Sequence, residues 1–445
     1  MINILLFLLW IVAFLSCLKF NMSNSPILKG YFFGIAYFIL LPILPVILFT
    51  KSKATIYSYV WNEIDINKDA YNLFGLLCII LIFRLSVFIV SNISTVKTKN
   101  SLVHIGVNIE IDKRKYWRIY ILTAIPAIII LCSLKFILIF NGVKWSDSGV
   151  FLPMLLGSSL YSTILMLTLS FVVISTISVL CIIKSDGHKF FNIGMYFLVP
   201  IIHMYVSANR IYLFVFTIIF FIEVVRKLNY KVIVTYLVIL IFGIYFFTLW
   251  SSIRAFLHEN TFVDSVQMAL EYEENLSENV SGFDGRINKQ IIDITEGSNV
   301  YVLNKVIEDF PDKYNYITVS PYVKVISVFI PRTIWPNKPE STPLILAKLY
   351  NPEFEGFSLN GSIFSEGYVS LGYIGVLLIS LFIITVIGAF KRSVESFISK
   401  EYAIYVSFFF ALLCVRFGSL SDVVLMILFN FTVIFLLGLL FKSKL

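Results

Sequence analysis

Apolar runs of 18 or more residues recur along this chain, each long enough to cross a hydrocarbon core of about 30 Å. A chain built this way reads as an all-α, polytopic membrane protein. Composition agrees: 58% of its 445 residues are hydrophobic and the mean hydropathy is +0.88. Only 14% are charged, against roughly 25% in a soluble domain. The net charge of +8 does not point to nucleic acid, because most of the excess basic residues lie in short connections between apolar runs. All five cysteines fall inside apolar runs, so a disulfide framework in the polar part is excluded and they read as buried small hydrophobes. The N-terminal run Ile2 to Leu18 is long and unbroken, and Ser16-Cys17-Leu18 is a poor cleavage site.

Eleven spans are expected, near 2–18, 31–49, 71–91, 119–140, 156–183, 190–206, 211–225, 232–250, 369–390, 402–417 and 420–441. Alternate short connections carry eighteen and six Lys and Arg, which puts the richer set in the cytoplasm, the N-terminus outside and the C-terminus inside. The stretch Gly149 to Ile183 is too long for one upright helix, with a break expected at Gly157-Ser158-Ser159. The chain therefore divides into N-terminal spans (1–250), one large outer loop (251–368) and C-terminal spans (369–445). The loop holds sixteen acids against nine Lys and Arg. Phe262 to Val280 reads as a helix with a Glu-rich face, and Ile287 to Phe310 has helical spacing interrupted near Gly297. Ser341-Thr342-Pro343 reads as a cap opening a short helix through Tyr350. Tyr322 to Ile330 is too apolar for a free loop.

The segment Phe329 to Gly375 organises the polar part. Pro331, Pro336 and Pro339 forbid a continuing helix, and between them stand Arg332, Trp335 and Lys338. Five of the ten arginines fall on the expected outer side: Arg210, Arg254, Arg286, Arg332 and Arg416. Positive charge there works against topology, and guanidinium suits bidentate recognition of phosphate or carboxylate. The alternatives are ion pairs with the loop's acids, or snorkelling to lipid phosphates. Arg84, within a span, reads as a structural snorkelling residue, and His203 as a satisfied helix-end histidine. Glu63-x-Asp65 is a weak metal-binding pair of a kind common by chance. No Cys/His metal spacing, P-loop or dinucleotide fingerprint occurs, so no cofactor and no metal is expected.

Phe329-Ile-Pro-Arg-Thr-Ile-Trp-Pro-Asn-Lys-Pro339 resembles the signature of the oligosaccharide repeat-unit polymerases, the Wzy-type O-antigen and capsule polymerases. Gly361-Ser-Ile-Phe-Ser-Glu-Gly-Tyr368, followed by Gly372 and Gly375, is similar to the second half of that signature. Asn209-Arg210 and Asp284-Gly285-Arg286 resemble arginine positions of the same family. The resemblance implies a GT-C-like glycosyltransferase acting on the outer face of the bacterial cytoplasmic membrane. Its donor would be a growing glycan on undecaprenyl diphosphate, its acceptor one repeat unit on the same lipid, and no nucleotide would be needed. Partners would be that lipid-linked oligosaccharide, membrane lipids and a chain-length regulator protein.

On this expectation Arg210, Arg286 and Arg332 clamp the diphosphate, with Arg254, Arg416 and Lys338 as further binding groups. Trp335 would face a sugar ring or anchor the membrane interface. Glu366 or Asp284 would orient or deprotonate the attacking hydroxyl, the alternative for each being a salt bridge to an arginine. Rival readings are an O-antigen ligase of similar build and a lipid-linked oligosaccharide flippase. The absence of an internal repeat and the long polar loop argue against the flippase.

Overall fold

The structure is a computed structural model that describes residues 2–18, 26–49, 51–53, 63–98, 112–143, 148–156, 158–186, 190–207, 209–225, 249, 253, 256, 262–279, 297–328, 330, 334–352 and 358–442. The protein is an all-α polytopic membrane protein, with one small β-ribbon. Seven described helices are long and apolar enough to cross a membrane: Pro26–Phe49, Ile66–Ile89, Lys113–Phe140, Leu160–Ser185, Phe190–Ser207, Ser362–Phe397 and Leu420–Leu440.

The chain divides into two compact units. The first comprises Met1–Ile109, Phe283–Ala389 and Phe410–Val424. It begins with α1 (Ile2–Leu18), α2 (Pro26–Ile35) and, after a π-helical turn at Ala36–Leu40, α3 (Leu41–Phe49). Pro42 and Pro45 have no N–H to give to this helix, and the buried Trp10 indole donates to the Leu40 carbonyl at 2.6 Å. Strands β1 (Lys51–Lys53) and β2 (Glu63–Asp65) pair antiparallel, with Lys51 opposite Asp65, and lead into α4 (Ile66–Thr98). Asp65 closes the turn that follows: its Oδ1 accepts from the Asn67 N–H, while the Asp65 N–H donates to Asp69 Oδ2. Arg84 is held from inside rather than only at the bilayer surface. Its Nε donates to the Ser16 carbonyl near the C-terminal end of α1 at 3.1 Å, and its guanidinium lies over the Phe32 ring.

The second unit comprises Glu110–Gly282, Phe390–Phe409 and Leu425–Leu445. It holds α5 (Lys113–Phe140), α6 (Ser148–Leu156), α7 (Ser158–Asp186), α8 (Phe190–Ser207), α9 (Ile211–Val225) and α10 (Phe262–Asn279). Helix α5 starts on Asp112, whose side chain accepts from the Lys115 N–H. The long run that begins at Gly149 divides into α6 and α7 as its length requires. Helix α7 is enclosed, and its buried hydroxyls are satisfied by its own backbone: Thr168, Thr176 and Ser178 donate to carbonyls four residues back. Ser170 accepts in addition from Asn430 at 3.0 Å.

The rest of the polar region and the C-terminal helices are α11 (Ser298–Asp309), α12 (Ser320–Ser327), α13 (Thr342–Tyr350), α14 (Ser362–Phe397), α15 (Lys400–Cys414) and α16 (Leu420–Lys442). The expected helix from Ile287 begins, among the described residues, only at Ser298. Ser341 does stand at the N-cap position of α13, with Pro343 in the first turn, but its side chain makes no capping hydrogen bond.

Four expected spans are not among the seven. Residues 2–18 and 211–225 form helices of 17 and 15 residues, below the roughly 20 an upright crossing takes. Helix α15 has 15 residues and begins on Lys400-Glu401. The expected span 232–250 lies almost wholly outside the described residues.

Helix α14 is not one rod. Leu371 (φ −151°, ψ 31°) and Gly372 (φ 60°, ψ −145°) break it into a short helix ending at Ser370 and a long span. Positive φ is open to glycine at little cost. Across the break Gly367 and Gly375 touch backbone to backbone, and a Cβ on Gly375 would overlap the Gly367 carbonyl. Gly375→Ala should therefore cost about 1–3 kcal/mol through forced repacking, read as a lower melting temperature in detergent. Gly194→Ala is the control, because a Cβ there meets nothing within 4 Å. Equal melting of the two variants would refute the backbone contact.

Candidate functional site

The break in α14 creates a nine-residue helix, Ser362 to Ser370, in which every residue is buried. Such a helix inserts between other elements rather than lying on a surface, and in its middle sits Glu366, 1% exposed. A buried carboxylate needs donors, and it has one on each oxygen. Thr342 Oγ1 donates to Oε1 at 2.9 Å, and the Leu420 backbone N–H makes a short hydrogen bond to Oε2. Thr342 is the first residue of α13 and Leu420 the first of α16. The carboxyl group thus lies at the start of α16, where it takes up one of the helix's orphan N–H groups. Among the described residues no ion pair involves Glu366. Asp422, in the first turn of α16, acts on it electrostatically, and Lys324 of α12 acts on Asp422. The Tyr322 hydroxyl is buried without a hydrogen-bond partner. Burial, and then the Glu366 charge, raise its pKa above the ordinary phenol range.

The residues before Glu366 grip the turn between α15 and α16. Asn360 Nδ2 donates to the Arg416 carbonyl at 3.2 Å, and its Oδ1 accepts from the Ser362 N–H at 3.1 Å. The Ile363 N–H donates to the Val415 carbonyl at 3.3 Å. Ser362 holds a positive φ of 70°, a strained position for a residue with a Cβ, of the kind that surrounding contacts have to enforce. A Cβ on Gly418 would overlap Asn360 Oδ1 and come within 2.8 Å of Pro343 Cγ. Arg416 accordingly rides on a turn fixed from four directions: by Asn360, Ile363, Pro343 and, through Leu420, Glu366. Its own residue is half-buried.

The other candidates fall in different places. Lys338 Nζ donates to the Ile330 carbonyl at 2.8 Å and the Ser327 carbonyl at 3.5 Å, so its ammonium caps the C-terminal end of α12. Trp335 is 36% exposed. Arg210 belongs to the second unit. It stands at the start of α9, where its carbonyl accepts from the Phe214 N–H and the neighbouring Asn209 side chain accepts from the Ile211 N–H. His203, seven residues before Arg210, is buried, and its Nδ1 lies 3.3 Å from Ser207 Oγ. Arg254, Asp284, Arg286 and Arg332 lie outside the described residues. Among those described, no group of three or more His, Cys, Asp or Glu is arranged to hold a metal ion.

Thr342, Asn360 and Asp422 were not singled out by sequence. Asn360 carries a signal, since it directly precedes the Gly361–Tyr368 segment. Thr342 reads only as a helix-cap neighbour, and Asp422 only as an acid in the first turn of a span. No protein-family description, curated protein or solved structure matches this chain.

Glu366→Ala leaves the Thr342 hydroxyl and the Leu420 N–H as buried donors without an acceptor, each costing about 1–3 kcal/mol. Its melting temperature should fall, and adding Thr342→Val should recover part of the loss by removing one orphan. Unchanged melting of Glu366→Ala, or strictly additive losses in the double variant, would contradict this role.

Proposed function

We propose that this protein is a glycosyltransferase that polymerises oligosaccharide repeat units carried on undecaprenyl diphosphate, on the outer face of the bacterial cytoplasmic membrane. The carrying observation is that the glycine-rich second half of the polymerase-like signature, Asn360 to Gly375, forms a buried scaffold for the Arg416 turn. A signature that only filled a core would not need a strained serine, a glycine pair and an amide clamp around one arginine-bearing loop. The Lys and Arg bias of the short connections supports placing this turn on the outer side.

In the proposed reaction the acceptor sugar's hydroxyl oxygen attacks the donor's anomeric carbon. The new glycosidic C–O bond forms as the bond from that carbon to the diphosphate breaks, and the hydroxyl proton passes to a base or to water. Undecaprenyl diphosphate leaves with the electron pair. Charge grows on the diphosphate as it departs, so fixed guanidinium groups lower the barrier where they meet that charge. Arg416 has this role, with Arg332 and Arg286 of the same unit as candidate companions; Arg210 and Arg254 keep their candidacy separately. The energy comes from the glycosyl–diphosphate bond, so no nucleotide enters.

Glu366, with both oxygens hydrogen-bonded and no exposed surface, is a positioning residue for the Arg416 turn. The base is therefore sought elsewhere, and Asp284 keeps its candidacy. Lys338 supports α12 rather than the substrate.

Purified protein in liposomes with lipid-diphosphate repeat units should make glycan longer than one unit and release lipid diphosphate, with or without EDTA. Arg416→Ala should lower the rate by about 10²–10³-fold, as removal of one oxyanion-stabilising group does. Arg416→Lys should not restore it, because an ammonium lacks the planar fork, while Glu366→Gln should retain polymer formation. Translocation of the substrate without polymer would identify a flippase instead. Transfer only to a different acceptor would identify a ligase, and a normal ladder from Arg416→Ala would remove that residue from the site.

A further inference from the structure

Helix α12 is tied to the starts of two spans. The Ile317 N–H, just before it, donates to the Val369 carbonyl at 2.8 Å, beside the break from which the long part of α14 departs. Tyr316 packs its hydroxyl 3.0 Å from the Cβ position of Gly372 in that break. At the other side Lys324 acts electrostatically on Asp422, in the first turn of the α16 span. The helix faces inward with Pro321, Ser327 and the buried Tyr322 hydroxyl.

Its other face is apolar and open. Val319 and Ile326 lie two turns apart on one stripe and are 63% and 73% exposed. Lys338, by capping the carbonyls of Ser327 and Ile330, folds the following segment back toward the end of α12. That segment presents Ile334, 75% exposed, and Trp335. At the break in α14, Leu371 and Ile374 are also open, at 44% and 66%, and there the apolar surface continues into a membrane span.

We propose that the Val319–Ile326 face of α12 and the Ile334–Trp335 tip are seated in the bilayer, at the boundary between headgroups and acyl chains. An open apolar surface of this kind is costly in water and marks a contact site. A short amphipathic helix with an indole and a lysine beside it matches the chemistry of an interfacial segment, buried about 5–10 Å into that boundary. The continuity with α14 makes lipid the occupant. The segment lies down on the membrane while its inner side buttresses Asp422 and Glu366, and this seat does not depend on the polymerase reading.

The test uses the unaltered full-length protein in nanodiscs containing a phospholipid that bears a photoactivatable carbene precursor near the glycerol end of its acyl chain. After illumination, peptide mapping should find lipid adducts among Val319, Ile326, Ile334 and Trp335. The exposed polar turn at Asp312 should carry none, and a water-soluble carbene reagent should give the reverse pattern. Labelling of the four apolar residues by the soluble reagent with no lipid adducts would overturn the proposal. So would protein-to-protein crosslinks through them that grow with protein concentration, which would assign the face to a second copy. Loss of polymerase activity or its absence does not enter either readout.

Discussion

The buried Glu366 carboxyl group is the interaction on which this part of the first unit depends. It joins the first residue of α13 and the first residue of α16 through opposite oxygens. Two helices that start 78 residues apart in sequence are thereby registered against one buried side chain. Removing that carboxyl group exposes no new surface to water, so nothing replaces the lost acceptors. Its burial is tolerated because each oxygen has a donor.

That staple explains the pattern of glycines around it. Gly367 and Gly375 let the short and long parts of α14 touch, Gly372 makes the break, and Gly418 lets the α15–α16 turn close on Asn360. A Cβ on Gly418 would push apart elements that Glu366 holds together, and one on Gly367 or Gly375 would push apart the two parts of the helix that carries it. What emerges at the surface of this construction is the turn carrying Arg416. A guanidinium on a rigid turn is preorganised, and preorganisation is what makes an electrostatic contribution to catalysis large.

Much of this was legible in the chain and some was not. The apolar runs gave the helical membrane class, the Gly157 region gave the α6–α7 division, and Ser341-Thr342-Pro343 gave the start of α13. These are local signals, written in hydropathy and cap chemistry. Among the described residues seven of the eleven expected spans are long enough to cross by length and composition, and α15 shows how tertiary contacts bound a helix that hydropathy alone does not delimit: it runs from Lys400-Glu401 to the clamped Val415–Ser419 turn. The break at Leu371–Gly372 was hidden because its cause is a tertiary backbone contact. Lys338 read as a ligand because the carbonyls it caps exist as open acceptors only once α12 has ended. Asn360 lay within the Phe329–Gly375 segment, but its grip on the Arg416 carbonyl is a tertiary contact that no local pattern announces.

On the proposed function, the buried scaffold holds Arg416 for a lipid diphosphate. The most direct measurement is the affinity of the purified full-length protein for undecaprenyl diphosphate, wild type against Gly418→Ala. That substitution leaves every charged side chain in place and displaces only the turn. Gly418→Ala should bind at least about tenfold more weakly, roughly 1.4 kcal/mol, in protein that remains folded. Equal affinity in the two proteins would contradict it.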